Sequence, residues 1–138
     1  MSPVFVDTNV LLYTFDDAYP DKRDQARAWV SACWLQRRGR VSTQVLNELY
    51  ANARKRFRHL ITPGDARAEV RRYQEWSPWQ IDHATVETAW AVESRYGLNY
   101  WDALMVSAAQ HMGCTLLLTE DLQHDQQIDQ GGAVLNEQ

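Results

Sequence analysis

The chain has 138 residues, a hydrophobic fraction of 45%, six tryptophans and a formal net charge of −4. Length and composition fit one folded domain over residues 1–138 with a substantial core, and exclude a disordered chain. No apolar run is long enough to span a bilayer, and Met-Ser-Pro-Val-Phe-Val-Asp at the start lacks the basic and apolar regions of a secretory signal, so a cytoplasmic location without a membrane partner is expected.

Charge is unevenly placed. Residues 1–72 hold thirteen of the fourteen Lys and Arg against eight acids, whereas residues 73–138 hold only Arg95 against ten acids. A basic region beside an acidic one suits a protein that grips a polyanion on one surface and a cation in another; it equally suits charges spread over solvated helix faces. Cys33 and Cys114 form no metal-ligand spacing and read as buried free thiols of a reducing compartment.

Val4, Phe5 and Val6 read as a buried strand that ends at Asp7. Asp21 precedes a helical segment with Ala26, Trp29, Val30 and Cys33 on one face, and Gly39 is placed to close it in a left-handed conformation. Residues 40–42 are a short strand candidate. A helix from about Thr43 to Phe57 carries Val45, Leu46, Leu49, Tyr50, Ala53 and Phe57 on one side. Thr62-Pro63-Gly64-Asp65 has the form of a capping box with proline at the first helical position, opening a helix that should run to about Glu75. Residues 79–81 are another strand candidate. Asp82 caps a helix ending near Gly97, and Asn99 caps the next, Tyr100 to Met112, with Gly113 behind it. Residues 115–118 form a second apolar strand, followed by Thr119-Glu120-Asp121, and an edge strand falls near residues 133–135. Short apolar strands alternating with helices predict an α/β fold whose parallel sheet is covered on both faces; the strand order is not readable.

The acids are the candidate chemistry. Asp7 and Asp121 each follow a buried strand, so two central parallel strands would deliver both carboxylates to one sheet edge, where ligands of open α/β sheets bind. Each could equally cap the helix that follows. Asp102 falls at the third position of a largely apolar helix, where a carboxylate can serve the Asn99 cap and the helix dipole or be aimed into a cleft. Glu48 falls on the polar face of its helix with Asn47, Ala51, Asn52 and Lys55, a surface position by local pattern. Glu120, beside Asp121, can point either way. Gathered carboxylates repel unless a cation neutralises them, and an all-oxygen site suits Mg²⁺ or Mn²⁺, ions that activate water for phosphoryl transfer. No Gly-rich phosphate loop, G-x-S-x-G or Cys/His zinc spacing competes. His59, His83, His111 and His124 are scattered and suit surface or capping roles; His124 is a minor candidate for phosphate contact.

These residues resemble the PIN-domain ribonucleases, and within them the VapC-type toxins of bacterial toxin–antitoxin systems. The likeness runs through Val-Phe-Val-Asp-Thr-Asn-Val-Leu-Leu-Tyr at 4–13, Ser-Thr-Gln-Val-Leu-Asn-Glu-Leu-Tyr at 42–50, Tyr-Trp-Asp-Ala-Leu-Met-Val-Ser-Ala-Ala at 100–109 and Leu-Leu-Thr-Glu-Asp-Leu-Gln-His at 117–124. It implies a PIN-like three-layer α/β/α sandwich with a central parallel sheet, and an acidic quartet of Asp7, Glu48, Asp102 and Asp121 holding Mg²⁺ or Mn²⁺. Thr8, Asn9 and Thr119 match positions that assist such a site by hydrogen bonding. Asp125 stands where relatives often have glycine, and the tail lacks the Asn-Pro-Phe-like ending of the family.

The implied activity is metal-dependent endonucleolytic cleavage of RNA, in a homodimer paired with a small antitoxin protein. Arg54, Lys55, Arg56 and Arg58, with Arg67, Arg71 and Arg72 on the next helix, are candidates for RNA phosphate contact. The alternative is a catalytically weak RNA-binding or regulatory module that binds a partner protein through its acidic groove. A phosphatase of the haloacid-dehalogenase type would need a second Asp two residues after Asp7, where this chain has Asn9.

Overall fold

The structure is a computed structural model that describes residues 2–119 and the backbone of residues 126–128 and 134–136. The elements run β1 (Val4–Val6), α1 (Thr8–Tyr13), α2 (Pro20–Gln36), β2 (Gly39–Arg40), α3 (Thr43–Arg56), α4 (Pro63–Arg72), a 3₁₀ turn (Tyr73–Trp76), α5 (His83–Tyr96), α6 (Tyr100–His111), β3 (Leu116–Leu118), β4 (Gln126–Ile128) and β5 (Val134–Asn136). The sheet order is β2-β1-β3-β4-β5. β1 is parallel to β2 and to β3, with Val4 opposite Leu116 and Val6 opposite Leu118. β4 and β5 extend this parallel core with antiparallel pairings.

Phe5 and Val6 are fully buried, as continuous apolar strands covered on both faces must be. Each buried side chain of this size contributes roughly 1.5–3 kcal/mol. α1 packs on α2 and α3, α3 on α4, and α5 on α6. The result is an α/β sandwich, as expected. Both cysteines are buried and free, and burial pushes the Cys114 thiol up to about 12.

The helix starts are set by local chemistry. Ser42, Thr62, Asp82 and Asn99 each accept a hydrogen bond from the backbone N–H three residues on, and Thr62 and Asp65 form the reciprocal box. Four expectations are corrected. α2 begins with Pro20 and includes Asp21 rather than following it, and it ends on Arg37 at φ 55°, so Gly39 is not its closing residue. Gly39 instead opens β2, and its missing side chain leaves room for the Trp76 ring. Residues 79–81 supply only an isolated bridge from Trp79 to Ser42, because Ser42 is already turning into α3. The helix expected to reach Glu75 changes at Tyr73 into the 3₁₀ turn that carries Trp76 into the core.

Asp82 makes one of these caps testable. The Thr85 hydroxyl at 2.6 Å and the Thr85 N–H at 2.9 Å both donate to its carboxylate and hold it below its ordinary value of 3.8. A carboxyl with a depressed folded value stabilises the fold fully above the unfolded value and loses that contribution as pH falls through the folded one. Asp82→Ala should therefore lower Tm at neutral pH, and the deficit relative to wild type should shrink as pH falls below about 4. A deficit that is constant across this range in thermal melts contradicts the charged-cap account.

Candidate functional site

The parallel pairing of β1 and β3 brings two strand ends to one edge. Asp7 N–H donates to the Leu118 carbonyl at 3.0 Å, so Asp7 and Thr119 leave the sheet side by side. Asp7 also caps α1, accepting from Asn9 N–H at 3.3 Å, so the cap and ligand readings of this residue coexist. Asp121, with Glu120, His124 and Asp125, lies outside the described residues.

Glu48 does not behave as its own helix pattern suggests. It is half-buried, and the Thr8 hydroxyl donates to its Oε1 at 2.8 Å. The helical wheel is silent on this because the donor lies on α1, one helix away. Thr8 itself is buried, which limits the freedom of its hydroxyl. The assisting role implied for Thr8 thus has a geometric basis. Asn9 contributes its backbone N–H to Asp7, and Thr119 stands half-buried at the strand end.

Gln44 completes the link and is a residue that sequence pattern does not single out. One turn before Glu48 on α3, it is 8% exposed. Its Nε2 donates to Glu48 Oε2 at 3.3 Å and to the Trp101 carbonyl at 3.1 Å. The only available signal was a second polar side chain at i−4 from Glu48, where the two share a helix face. Trp101 precedes Asp102, whose N–H and carboxylate are both held by Asn99, at 3.0 and 2.9 Å. Asp7, Thr8, Glu48, Gln44, Trp101 and Asp102 therefore form one continuous run of covalent and hydrogen bonds across β1, α1, α3 and α6.

The side chains along this run offer oxygen donors without thiol or imidazole, the chemistry preferred by a hard divalent cation. Among the described residues no three His, Cys, Asp or Glu side chains form a ready metal-binding group. Asp7, Glu48 and Asp102 instead accept hydrogen bonds from protein donors, which orient them. Of the histidines, His111 ends α6 stacked on Trp79, and His83 faces Glu87 one turn along α5, as surface and capping roles require.

The basic candidates lie along α3 and α4. Arg54 and Arg56 are between about 9 and 12 Å from Glu48 along the helix, at 1.5 Å per residue. Arg54 and Arg67 both donate to the Tyr50 hydroxyl, at 3.1 and 3.3 Å, which ties the two helices together and holds the phenol below its ordinary pKa. Arg72 pairs with Glu69 at 2.8 Å and lies over the Trp34 ring. Arg56 lies over Phe57, while Lys55, Arg58 and Arg71 are exposed. Arg54, Lys55 and Arg56 end α3, and Arg71 and Arg72 end α4, where cations also complement the helix dipole.

Among the described residues no helix is long and apolar enough to cross a membrane. No curated protein matches the chain. The PIN domain family matches residues 4–127, a span that takes in all four acidic positions. PIN domains are generally metal-dependent nucleases. With that match covering most of its length, the chain belongs to the PIN domain family.

Proposed function

We propose that the protein is a Mg²⁺- or Mn²⁺-dependent endoribonuclease that acts in the cytoplasm as the toxin of a toxin–antitoxin pair. The observation that carries the reading is the Thr8–Glu48–Gln44–Trp101 hydrogen-bond run, which links the segments that bear Asp7, Glu48 and Asp102. Asp7, Asp102 and Asp121 would hold the metal directly or through water, with Glu48 completing the set. The bound ion would lower the pKa of a water and neutralise charge at the scissile phosphate. Glu48, fixed by Thr8 and Gln44, would orient the attacking water. Exposed Lys55, Arg58 and Arg71 would hold RNA phosphates beyond the scissile one. A homodimer and a small antitoxin whose tail enters the acidic edge complete the proposal.

The test is cleavage of a mixed RNA pool by the purified protein with and without chelator. Cleavage should disappear in EDTA and return with Mn²⁺ or Mg²⁺. Cleavage that persists in EDTA overturns the metal dependence. Growth arrest on expression, relieved by the product of a neighbouring gene, tests the toxin role separately.

A second reading, a module that binds a partner through this groove without chemistry, is favoured by one observation: all three described acids already have protein donors. It expects no heat on calorimetric titration with Mn²⁺. The nuclease reading expects binding that Asp7→Asn weakens.

A further inference from the structure

A cavity of about 420 Å³ opens beside Glu48, within the size range of small-ligand pockets. Ile81 and Leu104 give it apolar surface, the Trp101 indole forms a wall, and Asn47 and Thr43 bring polar groups. Trp101 is 60% exposed, although residues 103–109 of the same helix are all buried. Tyr100 packs edge-on against it at 5.1 Å and 70°, which braces the ring. Asn47 is exposed, so its amide is open to the cavity.

We propose that this cavity holds one unpaired nucleobase of the RNA, adjacent to the phosphate at the acidic edge, and so selects the cleavage site. The inference rests on the nuclease reading above. A base has the two properties that the walls ask for. Its π-face stacks on Trp101, an interaction tolerant of any base and strong in single-stranded RNA recognition. Its edge carries N–H and carbonyl groups that the exposed Asn47 amide can pair. An apolar side chain from a protein partner would instead leave the Asn47 amide against hydrocarbon, which is unfavourable. Contiguity supplies the register: Gln44 and Glu48 line the cavity and also belong to the run that orients the acids.

The test is a cycle of kcat/KM values. Wild type and Trp101→Ala are compared on a short RNA with a mapped cleavage site and on versions carrying an abasic residue at each flanking position in turn. Trp101→Ala is expected to lower kcat/KM on the intact RNA about tenfold or more, the scale of one lost base stack. One abasic position should lower the wild-type value similarly, and on that substrate Trp101→Ala should cause no further loss. Trp101→Phe should recover most of the activity. Losses that add at every position, no loss at all, or a change in sedimentation without a change in kcat/KM overturns the nucleobase site. Wild type that cleaves normally while the cycle is additive removes this inference alone. Wild type that cleaves no RNA removes the nuclease reading and the base site with it.

Discussion

Asp7→Asn is expected to leave the fold intact while lowering RNA cleavage about a hundredfold to a thousandfold, the scale on which one preorganised electrostatic group acts in an active site. The choice of asparagine follows from the dual position of this residue. Asp7 accepts from Asn9 N–H at the start of α1, and asparagine caps a helix about as well as aspartate. The backbone bond from Asp7 to the Leu118 carbonyl is independent of the side chain. What asparagine removes is the negative charge at the sheet edge. A residue that served only as a cap would therefore give a variant with wild-type cleavage, and that result would remove Asp7 from the site. An unchanged Tm in the same preparation shows that any loss of rate is chemical. Thr8→Val would probe the neighbouring position, because it removes the 2.8 Å bond that orients Glu48.

The legible parts of this protein were those whose causes lie close in sequence. Caps act across three residues, so Ser42, Thr62, Asp82 and Asn99 mark their helices in the sequence itself. The buried strands show as apolar runs because both faces are covered, and their parallel pairing brings the ends of β1 and β3, at Asp7 and Thr119, to one edge. Glu48 was misjudged by its helical wheel because its partner, Thr8, lies forty positions earlier. Gln44 escaped notice for a related reason: its second acceptor, the Trp101 carbonyl, is 57 positions away. The strand order was not legible, since it depends on which long crossovers close, and the antiparallel addition of β4 has no local mark in Gln126–Ile128. Gly39 carried a local signal that pointed the wrong way. It sits where a helix-closing glycine belongs, yet Arg37 takes the left-handed conformation.

Gly39→Ala should destabilise the protein by about 1–3 kcal/mol, the range for overpacking a filled core. A methyl group built at Gly39 would lie 2.5 Å from Trp76 Cζ2 and 2.7 Å from Cε2, well inside contact distance. The ring has little freedom to yield. Trp76 is 7% exposed, with the Trp34 ring at 4.9 Å and the Tyr73 ring at 4.8 Å. Backbone movement is no easier, because Gly39 pairs with Val4 in the sheet and Val4 N–H donates to the neighbouring Arg38 carbonyl at 2.8 Å. The φ of Gly39 is not in the left-handed region, so the expected loss comes from the collision alone. That distinction can be measured. Trp76→Leu removes the colliding ring and should itself destabilise by leaving a cavity, but Gly39→Ala added to it should then cost much less than in wild type. Denaturant melts of the four proteins give the coupling directly. Equal costs of Gly39→Ala in both backgrounds would show that the close approach of Trp76 is not what requires glycine in β2. A large coupling would instead identify the ring packed over Gly39 as what requires glycine at the start of β2.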